Sequence, residues 1–386
     1  MRVLVLGGTG TMGSELVKML AADGSNRVVA VSRHPGDVEG VRYVIGNAFD
    51  VKFLRGLLEE HYDVIVDFMW YDDKTIAAVL PLFLDNCGQY FFMSSAAVCA
   101  PSNSPINEET TRYLDVLSNG GLGHYNDYHL LKARAEDVVR HAPGCNWTVV
   151  RPHVTFGPRN LPLVLWNIEV WLKRMEIGMP IALPVDVLNK KTTFTPAAHV
   201  ARQISRLIGI KQALGEVVQV GSESVHEWGE VVEACIECLR SRGLDPKVRM
   251  VALEEFYRKC PNVAGRLKYD RNLNRVFDLK KYKRLTGDGN ADAESMSVSI
   301  DKCIERSFSR IKGFIRPEVM HQHLANDVLC GCRIPFCNFS GRDKLLYSLR
   351  SAGVGERAAI ACVYPGRALS QASGFFKRIT RRSRVK

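Results

Sequence analysis

Short apolar runs alternate with segments of helical spacing through the first half of the chain. Apolar and β-branched residues dominate six runs, which we predict as strands: Val3–Leu6, Arg27–Arg33, Val41–Ile45, Asp63–Phe68, Gln89–Ser95 and Trp147–Arg151. Apolar residues recur at helical spacing between them, which predicts helices over Ser14–Leu20, Val51–His61, Thr75–Cys87 and Tyr125–Arg140. Because strand and helix alternate with short connections, the pattern predicts an α/β fold with a doubly wound parallel sheet.

The turn between the first strand and the first helix is rich in glycine. Gly7, Gly10 and Gly13 enclose Thr11 and Met12 in this turn. Glycine allows a tight turn and a close backbone approach, while the free N–H groups and the dipole at a helix start favour a phosphate. A turn of this kind directly after an N-terminal strand predicts a dinucleotide site; a plain structural turn is the alternative.

The regular alternation loosens after Pro152. Helical spacing returns at Val164–Met175, His199–Ile208 and His226–Arg242, and Glu216–Val220 is predicted as a strand. We expect residues 1–151 to form the dinucleotide-binding domain, with segments near 192–222 returning to it. Residues 152–320 should form mainly a smaller mixed α/β substrate-binding lobe, and residues 321–386 a C-terminal extension.

Composition and charge are those of a folded protein with a basic C-terminal tail. The 386 residues are 46% hydrophobic and 24% charged, as in an ordinary folded protein. The net charge is +11, and the last ten residues contribute six basic and no acidic side chains to it. A frayed, solubilising terminus explains this tail more simply than contact with nucleic acid or membrane, so we expect neither contact. With the first strand starting at Arg2 and no long apolar run, we expect a cytoplasmic protein.

Two side chains on the predicted helix near residue 130 can move a proton. Tyr128 and Lys132 are four residues apart and therefore share one helix face. A free tyrosine has a pKa of about 10, which a neighbouring ammonium lowers. Such a pair can take the proton of an alcohol as hydride leaves its carbon, although the same spacing also occurs by chance on solvated helix faces. Ser95, at the end of the fifth strand, could hydrogen-bond the reacting oxygen, or could simply cap a turn.

Several segments together resemble the extended short-chain dehydrogenase/reductases, a group of NAD(P)-dependent nucleotide-sugar epimerases, dehydratases and reductases built on a Rossmann fold. The matching segments are Gly7–Gly13, Gly46–Asp50, Ser94 and Ser95 with Val98, the helix carrying Tyr128, Lys132, Ala133 and Glu136, and Val150–Pro158. The resemblance covers about residues 1–315. It implies that Tyr128 is the acid/base, that Lys132 holds the nicotinamide ribose and lowers the tyrosine pKa, and that Ser95 orients the substrate oxygen. It also implies that Gly7, Gly10 and Gly13 line the pyrophosphate.

The sequence departs from this family at positions that bear on the cofactor. The second strand ends in Ser32 and Arg33, where NAD-specific members place an acidic residue. An arginine there can pair with a 2′-phosphate, so we expect NADP(H) to be favoured over NAD(H). Asn47 stands where the family often has an aspartate near the adenine.

Two alanines bear on the reaction. The family's 4,6-dehydratases place an acidic pair directly after the serine or threonine, where this chain has Ala96 and Ala97. We therefore expect epimerisation through a transient ketone, or net ketone reduction, and no dehydration by that route.

Other charged and metal-ligating residues carry weaker signals. Lys190, Lys191, Arg249 and Arg266 are candidates for holding a substrate diphosphate. His321, His323, Cys330, Cys332 and Cys337 form an irregular cluster without a CxxC spacing, so we predict no metal site.

The sequence thus predicts an NAD(P)-dependent oxidoreductase or epimerase acting on a nucleotide-linked sugar, with a homodimer left open. The alternative is a non-catalytic Rossmann-type protein that binds nucleic acid or a protein partner. The presence of Ser95, Tyr128 and Lys132 together favours the enzyme.

Overall fold

The computed structural model describes residues 1–116, 127–289, 291, 294–311, 319–339 and 341–363. Its strands are β1 (Arg2–Leu6), β2 (Arg27–Ser32), β3 (Arg42–Ile45), β4 (Tyr62–Asp67), β5 (Cys87–Met93), β6 (Trp147–Pro152), β7 (Thr155–Phe156), β8 (Ile181–Pro184), β9 (Lys191–Thr192), β10 (Thr195–Pro196), β11 (Glu216–Val220), β12 (His226–Glu227) and β13 (Val248–Val251).

Fifteen α-helices occur in the described part of the chain. They are α1 (Thr11–Ala22), α2 (Val51–Leu58), α3 (Asp73–Leu84), α4 (Tyr113–Val116), α5 (Asp127–Arg140), α6 (Ile168–Glu176), α7 (Ala197–Leu207), α8 (Trp228–Arg240), α9 (Leu253–Lys259), α10 (Pro261–Arg266), α11 (Lys280–Thr286), α12 (Met296–Arg310), α13 (Met320–Cys330), α14 (Gly341–Ser351) and α15 (Glu356–Val363).

Seven parallel strands form the central sheet, in the order β3-β2-β1-β4-β5-β6-β11. All six strands predicted in the first half of the sequence lie in it, and β11 is the predicted strand at Glu216–Val220. The predicted doubly wound α/β fold is therefore confirmed. The strand order places the carboxyl ends of β1, β2, β4 and β5 side by side at one edge of the sheet, which is where ligands of such folds bind.

Alternate residues of the strands supply the two faces of the sheet. Leu4 and Leu6 belong to one buried apolar cluster, whereas Val3 and Val5 belong to another. The first cluster includes side chains of α2, α3 and α5, and the second includes side chains of α1 and α7. Helices thus cover both faces, and the near-continuous apolar strands reflect burial on both sides.

Backbone conformations explain where predicted helix ends were wrong. His61 has a φ of 47°, in the left-handed region, and α2 ends before it at Leu58. Val164 has a φ of 57°, and α6 therefore begins only at Ile168, after its N-cap Asn167. In α3, the Asp72 carboxylate accepts a hydrogen bond of 2.7 Å from the Thr75 N–H, so the helix begins at Asp73, two residues earlier than predicted.

The chain divides into two compact units. The first comprises Met1–Leu165, Asp186–Cys238 and Ala264–Glu305, and contains the seven-stranded sheet. The second comprises Trp166–Val185, Leu239–Val263 and the described residues from Arg306 onward, and contains the parallel pair of β8 and β13. In this second unit Arg174 and Asp327 form a buried ion pair of 2.8 Å. The substrate-binding role predicted for residues 152–320 stays a prediction.

In the part of the chain that the structure describes, no helix has the length and apolar content needed to cross a membrane.

Candidate active site

The turn after β1 brings backbone N–H groups to the start of α1. Gly7 has a φ of 80°, and its N–H and that of Gly8 both donate to the Val31 carbonyl, at 2.9 and 3.1 Å. The Gly10 N–H then donates to the Gly7 carbonyl at 2.9 Å, which closes the turn. Gly10 is the N-cap of α1 and has no side chain to cover the first-turn N–H groups of Thr11 and Met12.

This turn has no space for side chains at its key positions. A Cβ at Gly13 would lie 2.3 Å from the Gly7 carbonyl oxygen, and one at Gly8 would lie 2.7 Å from the Ala30 Cβ. The backbone is thus packed against itself with its helix N-terminus open, which is the cradle that a pyrophosphate requires. The residues present fit a dinucleotide cofactor.

Three residues predicted to contact the adenosine half of the cofactor follow β2 and β3. Ser32 ends β2, is buried, and donates its hydroxyl to the His34 carbonyl. Arg33 is exposed beside it. Asn47 is also exposed, and its side-chain oxygen accepts from the Phe49 N–H at 3.1 Å. Because β2 and β3 are adjacent and parallel, these residues lie at the same edge of the sheet as Gly7.

Ser95 lies just beyond the carboxyl end of β5. It is the N-cap of a short 3-10 helix, and its Oγ accepts from the Ala97 N–H at 3.2 Å. The side chain therefore caps a turn, which was the alternative to a hydrogen bond with the reacting oxygen. Ser95 also acts on the Tyr128 phenol, whose pKa it lowers.

Tyr128, in the first turn of α5, is 45% exposed. Although the residue as a whole is partly exposed, desolvation of its phenol raises the pKa of Tyr128, and the charge of Asp270 adds to this rise. Ser95, Arg266 and Arg271 oppose it. The net direction is upward, so Tyr128 holds its proton at neutral pH in the structure described. The phenol is thus a proton donor that faces cationic groups, and those charges would stabilise a phenolate.

Lys132 lies one turn further along α5 and is 5% exposed. Its Nζ donates to the Met93 carbonyl at the end of β5, at 2.7 Å. Burial lowers its pKa to about 8, and attraction by Asp67 opposes this change. After desolvation, the leading influences on the Tyr128 pKa are Ser95, Arg266 and other groups of the first unit. The predicted lowering of that pKa by Lys132 stays a prediction.

A buried ion-pair network fixes α5 to the sheet. Glu136 is fully buried, and its two oxygens accept from Arg151 of β6 at 2.5 and 3.0 Å. The Ser94 hydroxyl donates to the same carboxylate at 2.7 Å, and Arg112 approaches it at 3.5 Å. Although burial opposes ionisation, Arg151 and Ser94 lower the pKa of Glu136. Because Glu136 follows Lys132 by one turn, this network sets where Lys132 and Tyr128 lie on the sheet edge.

A second buried charge cluster influences Tyr128. Asp270 lies in a π-helical turn, Leu267–Arg271, and contacts Arg271 at 2.5 Å, Arg275 at 3.5 Å and His153 at 3.6 Å. Burial opposes its ionisation, but these three groups hold the pKa of Asp270 well below its usual range. Burial lowers the pKa of His153, so its ring is neutral at neutral pH. The charged groups that act on Tyr128 and Asp270 are then three guanidinium groups, those of Arg266, Arg271 and Arg275, and the carboxylate of Asp270 itself. This balance favours an anionic ligand.

The site predicted from the sequence did not include Asp270, Arg271 and Arg275. The available signal was the spacing of charges in residues 266–275, with an arginine at each end and an adjacent acid and base between them. Of the four basic residues proposed to hold a diphosphate, Arg266 acts on the Tyr128 pKa and donates to the Leu165 carbonyl at 3.2 Å. Arg249 belongs to the second unit and donates to the Cys330 carbonyl at 2.8 Å. Lys191 is exposed in β9.

The His/Cys cluster of the C-terminal extension includes a buried histidine. His323 is fully buried, and neither ring nitrogen has a hydrogen-bond partner among the described residues. Burial lowers the His323 pKa to about 3. Within the described ranges, no group of three His, Cys, Asp or Glu side chains is arranged to hold a metal ion. The basic tail lies outside those ranges.

Comparison with known proteins identifies the first half of the chain. Residues 7–159 match a family model described as NAD(P)H-binding. This stretch contains the glycine turn, Ser95, Tyr128 and Lys132. This part of the chain is therefore similar to NAD(P)H-binding domains. No curated protein matches the sequence.

Several solved structures share the fold. The UDP-glucuronic acid 4-epimerase of Bacillus cereus, solved with UDP-glucuronic acid and NAD, is 16% identical, with 80% of this chain and 100% of that chain covered and a TM-score of 0.60. MoeE5, solved with UDP-glucuronic acid and NAD, is 17% identical, with 80% and 100% covered and a TM-score of 0.62. WbmH of Bordetella bronchiseptica, solved with NAD⁺, is 16% identical, with 80% and 98% covered and a TM-score of 0.60. The predicted resemblance to the extended short-chain dehydrogenase/reductases is thereby confirmed at the level of fold.

Proposed function

We propose that this protein is an NAD(P)-dependent oxidoreductase or epimerase acting on a nucleotide-linked sugar. The observation that carries the proposal is that Lys132 and Ser95 meet at the carboxyl end of β5, on the same sheet as a glycine turn that fits a dinucleotide. Lys132 donates there to the Met93 carbonyl at 2.7 Å, and Ser95 acts on the Tyr128 phenol. When bound, the nicotinamide supplies a carbon that accepts or donates hydride. UDP-sugar complexes of proteins with this fold support the substrate class.

Proton transfer at the sugar hydroxyl is assigned to Tyr128. Ser95 acts on the phenol, and its hydroxyl can share a hydrogen bond with the reacting oxygen. Arg266 and Arg271 lower the cost of forming a phenolate, so Tyr128 can release its proton to a carbonyl or take one from a hydroxyl.

Arg266, Arg271 and Arg275 are assigned to the anionic part of the substrate. Their side chains already use some donors internally: Arg271 Nε donates to the Val164 carbonyl at 2.9 Å, and Arg275 Nη1 to the Cys99 carbonyl at 2.9 Å. These contacts orient the guanidinium groups before a ligand arrives, which reduces the entropy lost on binding a phosphate.

NADP(H) is proposed as the favoured cofactor because Arg33 is exposed directly after β2. A guanidinium at that position can pair with a 2′-phosphate. NAD(H) is the alternative, and NAD is the cofactor in the solved structures with this fold.

Dehydration is not part of the proposal. Ala96 and Ala97 follow Ser95 in the short 3-10 helix and are 0% and 6% exposed. Methyl groups can neither donate nor accept a proton, so these positions lack the acid and base that water elimination needs.

The test uses the purified protein with NADPH, NADP⁺, NADH or NAD⁺ and a panel of UDP-, GDP- and dTDP-sugars. Net redox change is followed by absorbance at 340 nm, and epimerisation by the anomeric proton signals in NMR. We expect turnover of at least one sugar, lost in Tyr128→Phe and retained in Tyr43→Phe, a control on β3 away from Ser95. Absence of both cofactor binding and turnover would refute the proposal and favour a non-catalytic binding protein.

A further inference from the structure

Asp67 is a carboxylate at the carboxyl end of β4 that the proposed reaction does not use. It is fully buried. Asp67 pairs in register with Phe92 of β5, and Ile65, two residues earlier on the same face, pairs with Tyr90. Ile65, Tyr90 and Phe92 all belong to the apolar cluster that also contains residues of α5. The carboxylate therefore lies on the sheet face covered by α5, at the same end of the sheet as the glycine turn.

Two donors fix the orientation of this carboxylate. The Met69 N–H donates to Oδ1 at 2.8 Å, and the Tyr90 hydroxyl donates to Oδ2 at 2.9 Å. Each oxygen thus has one defined partner. A buried carboxylate with both oxygens held in this way carries a negative charge at a fixed position.

Lys132 brings a positive charge to the same place. Its Nζ lies 5.2 Å from the centre of the Phe92 ring, and Phe92 is the register partner of Asp67. The Nζ also donates to the carbonyl of Met93, the next residue on β5. The ammonium and the Asp67 carboxylate attract one another across this pair of strands.

The titratable groups around the pair are few. Tyr90 of β5 and Tyr71, after β4, act on Asp67, and Cys87 acts on Tyr90. Burial raises the pKa of Asp67 to about 6, while Met69, Tyr90, Tyr71 and Lys132 oppose this rise. Burial raises the pKa of both tyrosines well above their ordinary range, so they stay neutral and leave Asp67 as the negative charge that acts on Lys132.

We propose that Asp67 is a positioning residue that acts as the counter-ion of Lys132, keeping its ammonium charged and directed to the end of β5 where the cofactor ribose would bind. The cofactor part of this proposal rests on the proposed function. The electrostatic interaction between Asp67 and Lys132 does not.

The pair is tested by NMR titration of the Lys132 ammonium. The full chain is labelled with ¹³C,¹⁵N-lysine, and the Lys132 signal is assigned from its absence in Lys132→Arg. In Asp67→Asn the neighbouring charge is lost and the isosteric amide remains, so the Lys132 midpoint should fall by about one pH unit or more. An unchanged midpoint would overturn the proposal.

Asp63→Asn is the matched control. Asp63 lies on the same strand but is exposed, and it accepts a hydrogen bond from the Arg2 N–H at 2.7 Å. This variant should leave the Lys132 midpoint unchanged. If Asp67→Asn does not fold, the wild-type titration decides, because a Lys132 signal that senses Asp67 shows a second inflection near pH 6, and its absence overturns the proposal.

Binding of NADPH and NADH, measured by fluorescence, tests the cofactor part. If the charged ammonium holds the ribose, a one-unit fall in midpoint weakens binding to Asp67→Asn about fivefold at pH 8 and hardly at pH 6.5. Equal weakening at both pH values indicates a structural role only and overturns the positioning role. If the wild type binds neither cofactor, the proposed function fails, while the midpoint shift still decides whether Asp67 and Lys132 are paired.

Discussion

Replacing Glu136 by Gln should strongly destabilise the sheet that carries the candidate site. The change removes the charge between Ser94 and Arg151, and leaves the Arg151 guanidinium, which is 1% exposed, without a carboxylate. Breaking a buried ion pair on one side costs about 3–5 kcal/mol. Because the amide can keep part of the hydrogen bonding, we expect about 3 kcal/mol of lost free energy of unfolding, measured by urea denaturation with far-UV circular dichroism.

Asp137→Asn is the control for this prediction. Asp137 pairs with Arg112 at 2.6 Å, but its side chain is 30% exposed, so its loss should cost about 1 kcal/mol or less. The role assigned to Glu136 would be refuted if both variants lost the same small amount of free energy of unfolding.

The stabilisation of the folded state by Glu136 should also depend on pH. The folded protein lowers the pKa of Glu136 from its ordinary 4.5, so its stabilisation is fully present above pH 4.5 and is lost as the pH falls through the folded-state pKa. The difference between wild type and Glu136→Gln should therefore shrink in acid. A difference that is constant down to pH 3 would contradict the assignment.

Three further changes probe the cofactor and proton sites. Tyr128→Phe should abolish turnover, at least a hundredfold loss, while NADPH affinity stays near that of the wild type; equal loss of both would contradict its role. Arg33→Ala should weaken NADPH binding more than NADH binding in fluorescence titrations, and equal weakening would remove the basis for the NADP(H) proposal. Gly13→Ala should abolish binding of both cofactors, because its Cβ would lie 2.3 Å from the Gly7 carbonyl oxygen, whereas Gly24→Ala, with nothing within 4 Å, should bind normally.

The sheet could be predicted because its strands are buried on both faces and read as continuous apolar runs. The parallel, doubly wound arrangement followed from the alternation of strand and helix. Helix ends were harder to predict. His61 and Val164 adopt positive φ values, which are common for glycine and rare for these residue types, so the sequence did not indicate a helix boundary there.

The candidate site was predictable only in part. Ser95, Tyr128 and Lys132 stand in short motifs, so local sequence was sufficient to select them. Asp270 lies more than a hundred residues beyond His153 and contacts it through the fold, which no local pattern encodes. Asp67 looked like the end of an apolar strand, and only its register with Phe92 shows that it shares a sheet face with the ring that the Lys132 ammonium approaches.

Because β11 completes the sheet, the folded sheet extends further along the chain than the segment that matches the NAD(P)H-binding family model. The NAD(P)H-binding match ends at residue 159, but β6 then still lacks its outer neighbour, which arrives only at Glu216–Val220. A chain released up to residue 159 would present β6 as an unpaired edge, without α7 and with Val150 uncovered. During synthesis the first domain must therefore wait for some sixty further residues before its sheet can close, and excising it at the motif boundary would yield an aggregation-prone fragment.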